Sequence, residues 1–261
     1  MMCKFPSRYY ASLVLAALVV SACTATAPTP VIDYAAIIEA APRLGADSEL
    51  DSARHPVKIL SFARVQPGET VVEIEAGRGY YTALLSEAVG PNGQVHMINP
   101  PFFDTFIPDK DLTARLGMDG QTLPNVTLHR ATQFDAIPLA DNSADLVTWI
   151  LGPHEVYFNP PGDYSFGDPD TTWSEIARVL KPGGRALMID HMACNGAGTT
   201  VGGTLHRVEA RSIMESAERV GLRLTRESDA LMTGQDDCAV NVFDPKVRRK
   251  TDRFVMLFVA P

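Results

Sequence analysis

The chain has 261 residues, 46% hydrophobic and 21% charged, with 31 acidic side chains against 23 Lys and Arg. This length and apolar content are enough for one large globular domain with a sizeable core. The formal charge of −8 and the lack of a basic stripe in the sequence exclude an evident nucleic-acid partner.

The start of the chain predicts export and a lipid anchor. Lys4 and Arg8 precede an apolar run, 9–20, which is too short to cross a bilayer as a mature helix and is typical of an export signal. The sequence Val-Ser-Ala-Cys that follows resembles the lipobox of bacterial lipoproteins. This resemblance implies that residues 1–22 are a signal peptide and that Cys23 carries lipid. An ordinary signal peptide with a chance cysteine is the alternative.

The residues after Cys23 favour a particular location. Thr24, in place of Asp, favours the periplasmic side of the outer membrane of a Gram-negative cell, and residues 23–30 form an extended linker. In that oxidising compartment Cys194 and Cys238 could form a disulfide or remain two free thiols. The sequence contains no CxxC pair, so a structural zinc site is not expected.

Alternating apolar patterns predict an α/β domain. Residues 31–65 form a helical N-terminal extension, and residues 66–261 form the main domain. Strands are predicted at 70–75, 94–98, 126–129, 144–150, 185–190, 222–227 and 253–259, and helices at 79–89, 109–116, 168–180 and 207–220. This order predicts a doubly wound, Rossmann-like parallel sheet. The last two strands have no clear helix between them, which predicts that the final strand runs antiparallel.

The segment between the first strand and the next helix is the most informative. Residues 75–79, the glycine loop, have the sequence Glu-Ala-Gly-Arg-Gly. A strand, a glycine-containing turn and a helix are typical of nucleotide-cofactor folds. Gly77 and Gly79 allow the backbone to approach a ligand closely, and the helix amino end offers unpaired N–H groups.

Three longer motifs carry a family resemblance. They are VVEIEAGRGYYT at 71–82, IPLADNSADLV at 137–147 and ARVLKPGGRALMIDH at 177–191. Together they resemble the class I S-adenosylmethionine (SAM) methyltransferase fold, whose seven-stranded sheet has an antiparallel last strand. The DH, LHR and TDRF motifs at 190, 205 and 251 further resemble a bacterial family of predicted methyltransferases. The resemblance implies SAM as the cofactor.

The same resemblance implies a set of cofactor-binding residues: Glu73, Glu75, Gly77, Gly79, Tyr80, Asn99, Gln133 and Phe134. Glu75 stands where the wider fold has its first glycine, and Asn99 stands where an acid normally binds the ribose. Gln133 replaces an acid near the adenine, on which Phe134 could stack. As alternatives, Glu73 only caps the loop, and Glu75 is an outward charge paired with Arg78.

Four residues are the predicted catalytic set. His154, Asp190, His191 and His206 follow adjacent strands, and ligands of open α/β sheets bind at the carboxyl ends of strands. His191 is the first choice for a general base, which is needed only when the acceptor starts protonated. Structural hydrogen bonding is the alternative for each histidine. The four also suit a metal ion, but no HxH or HxxxH spacing supports one, so none is expected.

The predicted function is SAM-dependent methyl transfer to a small-molecule or envelope acceptor by an exported lipoprotein. The alternative is a non-catalytic binding or structural module of the cell envelope. The altered Glu75, Asn99 and Gln133 favour the alternative, and the histidine set favours the enzyme. The sequence specifies neither the acceptor nor the oligomeric state.

Overall fold

The computed structural model describes residues 32–130, 132–158 and 160–261. The predicted signal peptide, 1–22, and the whole predicted linker, 23–30, which begins with Cys23, lie outside the described residues. Export and lipid attachment therefore stay predictions.

A single seven-stranded sheet organises the described residues. Its strands are Thr70–Ile74 (β1), Gln94–Ile98 (β2), Val126–His129 (β3), Ala144–Ile150 (β4), Leu180–His191 (β5), Arg223–Ser228 (β6) and Arg253–Val259 (β7). The spatial order is β3-β2-β1-β4-β5-β7-β6. Strands β1 to β5 pair in parallel, and β7 runs antiparallel to both β5 and β6. The predicted fold class is therefore confirmed.

Eight α-helices flank the sheet in the described part of the chain. They are Tyr34–Ala40 (α1), Ser48–Arg54 (α2), Pro56–Ala63 (α3), Tyr80–Val89 (α4), Asp109–Leu116 (α5), Pro169–Val179 (α6), Gly202–Leu205 (α7) and Ala210–Arg219 (α8). None of these helices has both the length and the apolar character to cross a membrane.

The core lies on both faces of the sheet because the central strands are apolar on both sides. On one face Trp149 of β4 packs with Ile176 of α6, and on the other Leu146 of β4 packs with Leu84 of α4. Successive strand residues point to opposite faces, so a continuous apolar run such as β4 fits a strand that is covered twice.

Two predicted elements have different bounds in the structure. Strand β5 begins at Leu180, five residues earlier than predicted, because Leu180 already pairs with Ala144. The helix predicted at 207–220 begins only at Ala210. Before it, His206 has a left-handed backbone (φ 53°), and the Arg207 guanidinium is buried in an ion pair with Asp236 (2.7 Å). Residues 207–209 stay outside the helix because Val208 forms a β-bridge with Met192 and Glu209 has an extended backbone (φ −73°, ψ 130°).

The long segment between β6 and β7, 229–252, is linked covalently to the residues that follow β5. A disulfide joins Cys194, after β5, to Cys238 within this segment. Beside it, Arg207 contacts both carboxylate oxygens of Asp236 and the Val240 carbonyl. Of the two alternatives for these cysteines, the structure has the disulfide.

Glu73 on β1 makes the stability of the fold depend on pH. Its carboxyl is buried beneath α4, where it accepts a hydrogen bond from Thr82 Oγ1 (2.5 Å), and burial raises its pKa from 4.5 to about 7. Between these two values the folded state holds a proton that the unfolded state has lost. Stability therefore falls as pH rises through this window.

Glu73→Gln should abolish this dependence, because an amide does not ionise. We expect the wild type to lose roughly 3 kcal/mol of unfolding free energy relative to Glu73→Gln between pH 4.5 and 8. Urea unfolding across that range measures the difference. Glu87→Gln, at an exposed position of the same helix, is the control; equal pH profiles for all three proteins would contradict the prediction.

Candidate active site

The glycine loop leaves its backbone open at Gly77. Glu75, Gly77 and Gly79 all have positive φ angles (58°, 61° and 76°), so the loop turns sharply between β1 and α4. A Cβ built on Gly77 meets no heavy atom within 4 Å. The peptide at this position can therefore approach a ligand closely, as predicted for a cofactor loop.

Asn99, at the carboxyl end of β2, holds the loop in place. The Gly77 N–H donates to Asn99 Oδ1, and Asn99 Nδ2 donates to the Gly77 carbonyl, both at 2.8 Å. The side chain is fully buried. Both of its polar groups are thus engaged by the loop, and its predicted contact with a ribose stays a prediction.

The N-terminal extension supports the other end of the loop. Arg115 of α5 is buried, donates from Nε to the Arg78 carbonyl (3.0 Å), and forms a two-point ion pair with Asp47 (2.8 and 2.9 Å). Its Cγ would lie 2.9 Å from a Cβ added at Gly79. Glycine is therefore required here by packing against Arg115, and the prediction that Gly79 contacts a cofactor stays a prediction.

The sequence predicted that Tyr80 binds the cofactor, but in the structure its side chain contacts the N-terminal extension instead. Its hydroxyl donates to Asp51 of α2, and the Arg54 guanidinium lies 4.4 Å from the centre of its ring. The residue is buried, and burial together with the Asp51 bond raises the pKa of the phenol. The N-terminal extension, which supplies Asp51 and Arg54, determines this orientation. The local motif around Tyr80 does not indicate these contacts.

Phe134 also has a different role from the one predicted. Its ring is fully buried, stacks on Phe166 (centroids 5.4 Å apart, 10° between planes) and meets Trp149 edge-on. Both ring faces belong to the aromatic core, so neither is available to an adenine in this structure. Gln133 precedes it in a half-buried turn, where its predicted adenine contact stays a prediction.

Glu75 points inward, not toward Arg78. Its Oε2 accepts a hydrogen bond from Trp149 Nε1 (3.0 Å), and a Cβ added to Gly152 would lie only 1.8 Å from that oxygen. Arg78 instead pairs with Asp111 (2.8 Å). Burial, followed by the nearby charge of Glu155, raises the pKa of Glu75 well above its usual value. Burial therefore disfavours the ionised form of this carboxyl.

Asp190 and His154 form a buried pair where β4 and β5 end. Asp190 accepts from the His154 backbone N–H (2.6 Å), and both of its oxygens lie 2.9 Å from His154 Nδ1. The side chains are 0% and 3% exposed. Burial alone would lower the pKa of His154, but the carboxylates of Asp190 and Glu155 outweigh it and raise that pKa to about 10.

Two further groups meet His154 on its other nitrogen. His206 Nδ1 lies 3.2 Å from His154 Nε2, and Glu155 Oε1 lies 3.3 Å from the same atom. His206 and Glu155 are themselves 3.2 Å apart. Burial would raise the pKa of Glu155, but its bonds to the two histidines lower it to about 2. We call His154, Glu155, Asp190 and His206 the histidine–carboxylate cluster.

The structure brings three of the four predicted catalytic residues together and separates the fourth. His191 follows Asp190 in β5, so the two side chains point to opposite faces of the sheet. His191 Nδ1 bonds to Thr251 Oγ1 (2.6 Å). Burial and the neighbouring charges of His154 and Arg253 lower the pKa of His191 well below its usual value. The choice of His191 as the first candidate base is therefore wrong for the cluster.

Glu155 is the residue that the sequence analysis missed. It follows His154 in a 3-10 turn, Pro153–Tyr157, that folds back over the end of β4. Its only signal in the sequence was its position next to a histidine after a buried strand.

The inward position of Glu75 can be tested at Gly152. Gly152→Ala places a methyl group on the Glu75 carboxyl, and we expect a loss of roughly 1–3 kcal/mol of unfolding free energy from overpacking. The loss should be smaller in a Glu75→Ala background, because the clashing oxygen is gone. Urea unfolding of the four proteins gives the coupling energy. Gly45→Ala, where an added Cβ meets nothing within 4 Å, is the control; additive effects at Gly152 would contradict the described position of Glu75.

Comparisons with known proteins support the fold and the type of domain. A family model described as a methyltransferase domain matches residues 72–188. The ubiquinone/menaquinone biosynthesis C-methyltransferase UbiE of Shewanella frigidimarina is 28% identical over 138 residues, which are 52% of this chain and 47% of that protein. The protein of the same name from Stenotrophomonas maltophilia is 33% identical over 136 residues, which are 50% of this chain and 46% of that protein. The chain spans about half the length of the curated relatives it matches.

Solved structures agree on the architecture. A SAM-dependent methyltransferase from Aquifex aeolicus is 21% identical, with a TM-score of 0.56 over 88% of this chain and 100% of that one. The cyclase SpnF is 16% identical, with a TM-score of 0.56 over 83% and 82%. At these identities the likeness shows the fold alone. The sheet order and these neighbours show the class I methyltransferase fold, and residues 72–188 are similar to a methyltransferase domain.

Proposed function

We propose that this protein transfers the methyl group of SAM to a small-molecule acceptor bound at the carboxyl edge of the sheet. The proposal rests on where the candidate residues lie in the sheet. The open backbone of Gly77 and the histidine–carboxylate cluster lie at the ends of neighbouring strands, β1, β4 and β5. In open α/β sheets that edge binds the ligand.

The residues present fit an adenosyl ligand in part. Gly77 has room above its backbone, and the Asn99 amide can make a further hydrogen bond beyond its two loop bonds, as the expected ribose contact requires. Phe134 does not fit, since both faces of its ring are packed. When bound, SAM supplies an electrophilic methyl group on a sulfonium, which is already a good leaving group.

The chain's own task is to position the acceptor and exclude water. The hydrogen bond between Glu75 and the Trp149 indole joins the glycine loop to β4, and the turn that follows β4 carries His154. Glu155 and His206 are the partly exposed members of the cluster, at 13% and 21% of their side-chain surface. They are therefore the groups that an acceptor would reach first.

We further propose that the protein is a lipoprotein of the outer membrane's periplasmic side. The lipobox-like sequence ending at Cys23 supports this, and so does the disulfide between Cys194 and Cys238, since disulfides persist in oxidising compartments.

One observation favours the alternative, a non-catalytic envelope module. The Phe134 ring, which the resemblance assigns to the adenine, is fully buried and stacks on Phe166 instead. A domain that has lost cofactor binding would keep such an internal contact. Binding measurements separate the two functions.

Isothermal titration of the full chain with SAM and with S-adenosylhomocysteine should show binding of both. Gly77→Val should weaken both at least tenfold, because it fills the space that the ligand needs. Gly221→Val is the matched control, since Gly221 also has a positive φ (84°) and free space around its Cβ but lies before β6, at the opposite edge of the sheet. Circular dichroism checks the fold of each variant.

A folded wild type that gives no heat with either compound would reject the enzyme and favour the envelope module. Equal weakening by both valine substitutions would mean that backbone strain, not ligand contact, causes the effect.

The proposed anchor has its own test. Cys23→Ala should move the protein from the membrane fraction to the soluble periplasmic fraction and abolish labelling by radioactive palmitate. Cys194→Ser is the control, and it should leave both the labelling and the membrane fraction unchanged. Labelling that persists in Cys23→Ala would contradict the lipid site.

A further inference from the structure

We infer that His154, Glu155 and His206 form a binding site for one divalent metal ion of the zinc class. The donor atoms are His154 Nε2, His206 Nδ1 and Glu155 Oε1. Imidazole nitrogens and a carboxylate oxygen are ligands that zinc takes in catalytic sites, usually three from the protein with a fourth position left open.

The spacing of the three atoms matches a tetrahedral ion. The donor atoms are separated by 3.2, 3.2 and 3.3 Å. An ion bound at about 2.0–2.1 Å with tetrahedral angles separates its ligand atoms by about 3.3 Å. The side chains therefore need little movement to bind one.

In the metal-free protein Glu155 accepts hydrogens from both rings, since His154 Nε2 and His206 Nδ1 lie 3.3 and 3.2 Å from its Oε1. A metal ion would take the place of these hydrogens, so binding would release the protons that the two ring nitrogens carry.

Asp190 provides an independent indication. Both of its oxygens lie 2.9 Å from His154 Nδ1, so that nitrogen keeps its hydrogen, and Nε2 is the nitrogen that would release its proton and bind the ion. A carboxylate behind a ligand histidine is the usual outer partner of a metal site, where it fixes the ring and its tautomer. Asp190 is fully buried and also accepts two backbone N–H groups, so it cannot turn away.

The second histidine is held just as firmly. The His206 ring lies against Phe243 (centroids 4.9 Å apart) and Phe158 (6.1 Å). The next residue, Arg207, is fixed by its ion pair with Asp236. The preformed position of this ring reduces the ordering cost of metal binding.

A tetrahedral ion with three protein ligands has a fourth position, which a water molecule or an oxygen atom of the acceptor would take. This last part rests on the proposed function, whereas the metal site itself does not. It indicates an acceptor with a hydroxyl or carboxylate oxygen, which the ion would hold beside the glycine loop.

The test is a titration of the full chain, freed of metal with a chelator, with Zn²⁺ in the absence of SAM. We expect one high-affinity ion per chain. His206→Ala and Glu155→Gln should each weaken binding at least 100-fold, and Asp190→Asn should weaken it 10- to 100-fold through the orientation of His154. The Co²⁺ form should show the visible absorption of a tetrahedral site, and azide should change it by taking the fourth position.

The control is another histidine pair of the same chain. His96 Nδ1 and His129 Nε2 lie 3.1 Å apart on β2 and β3, without a carboxylate in contact. His129→Ala should leave zinc affinity unchanged. A folded wild type without a stoichiometric site, or equal loss in His129→Ala and His206→Ala, would overturn the proposal. A Co²⁺ spectrum that azide leaves unchanged would overturn the open fourth position. Because no step uses SAM, these results do not depend on methyl transfer.

Discussion

The Asp190 carboxylate is the interaction on which the site depends. It is completely buried at the end of β5 and accepts hydrogens from the His154 backbone, the His154 ring and the His191 backbone. A buried carboxylate is stable only when its oxygens are satisfied. Two of these donors belong to His154 in the turn after β4, and the third belongs to β5 itself. The hydrogen bonds that satisfy the Asp190 charge therefore hold the ends of β4 and β5 together. Where His154 lies, and thus what it can bind, follows from that bond.

The elements that sequence reasoning located best are those set by local composition. Strand β4, Ala144–Ile150, and strand β7, Arg253–Val259, have the predicted bounds, because a strand covered on both faces is an uninterrupted apolar run. The start of β5 was missed, since the pairing of Leu180 with Ala144 depends on a neighbouring strand. Arg207 was placed in a helix, although its partner Asp236 lies 29 residues away.

The site itself was predicted in part. His154, Asp190 and His206 were expected to converge, because carboxyl ends of parallel strands share one edge, and they do. His191 was included because it neighbours Asp190 in sequence, yet the alternation of a strand separates their side chains. Tyr80 and Phe134 were assigned to the cofactor from motif position alone. Their actual neighbours, Asp51 and Phe166, lie 29 and 32 residues away, and no local pattern indicates such contacts.

Arg115 links the front of the chain to the glycine loop. Its guanidinium spans from Asp47, before α2, to the Arg78 carbonyl, and its aliphatic part covers Gly79. Removing one partner of a buried ion pair costs more than the pair contributes, roughly 3–5 kcal/mol, because the other charge stays desolvated. A chain that began at residue 66 would lack Asp47 and would leave the Arg115 guanidinium buried without its ion-pair partner. Such a truncation should therefore disturb the glycine loop, which lies more than 25 residues further along the sequence from Asp47.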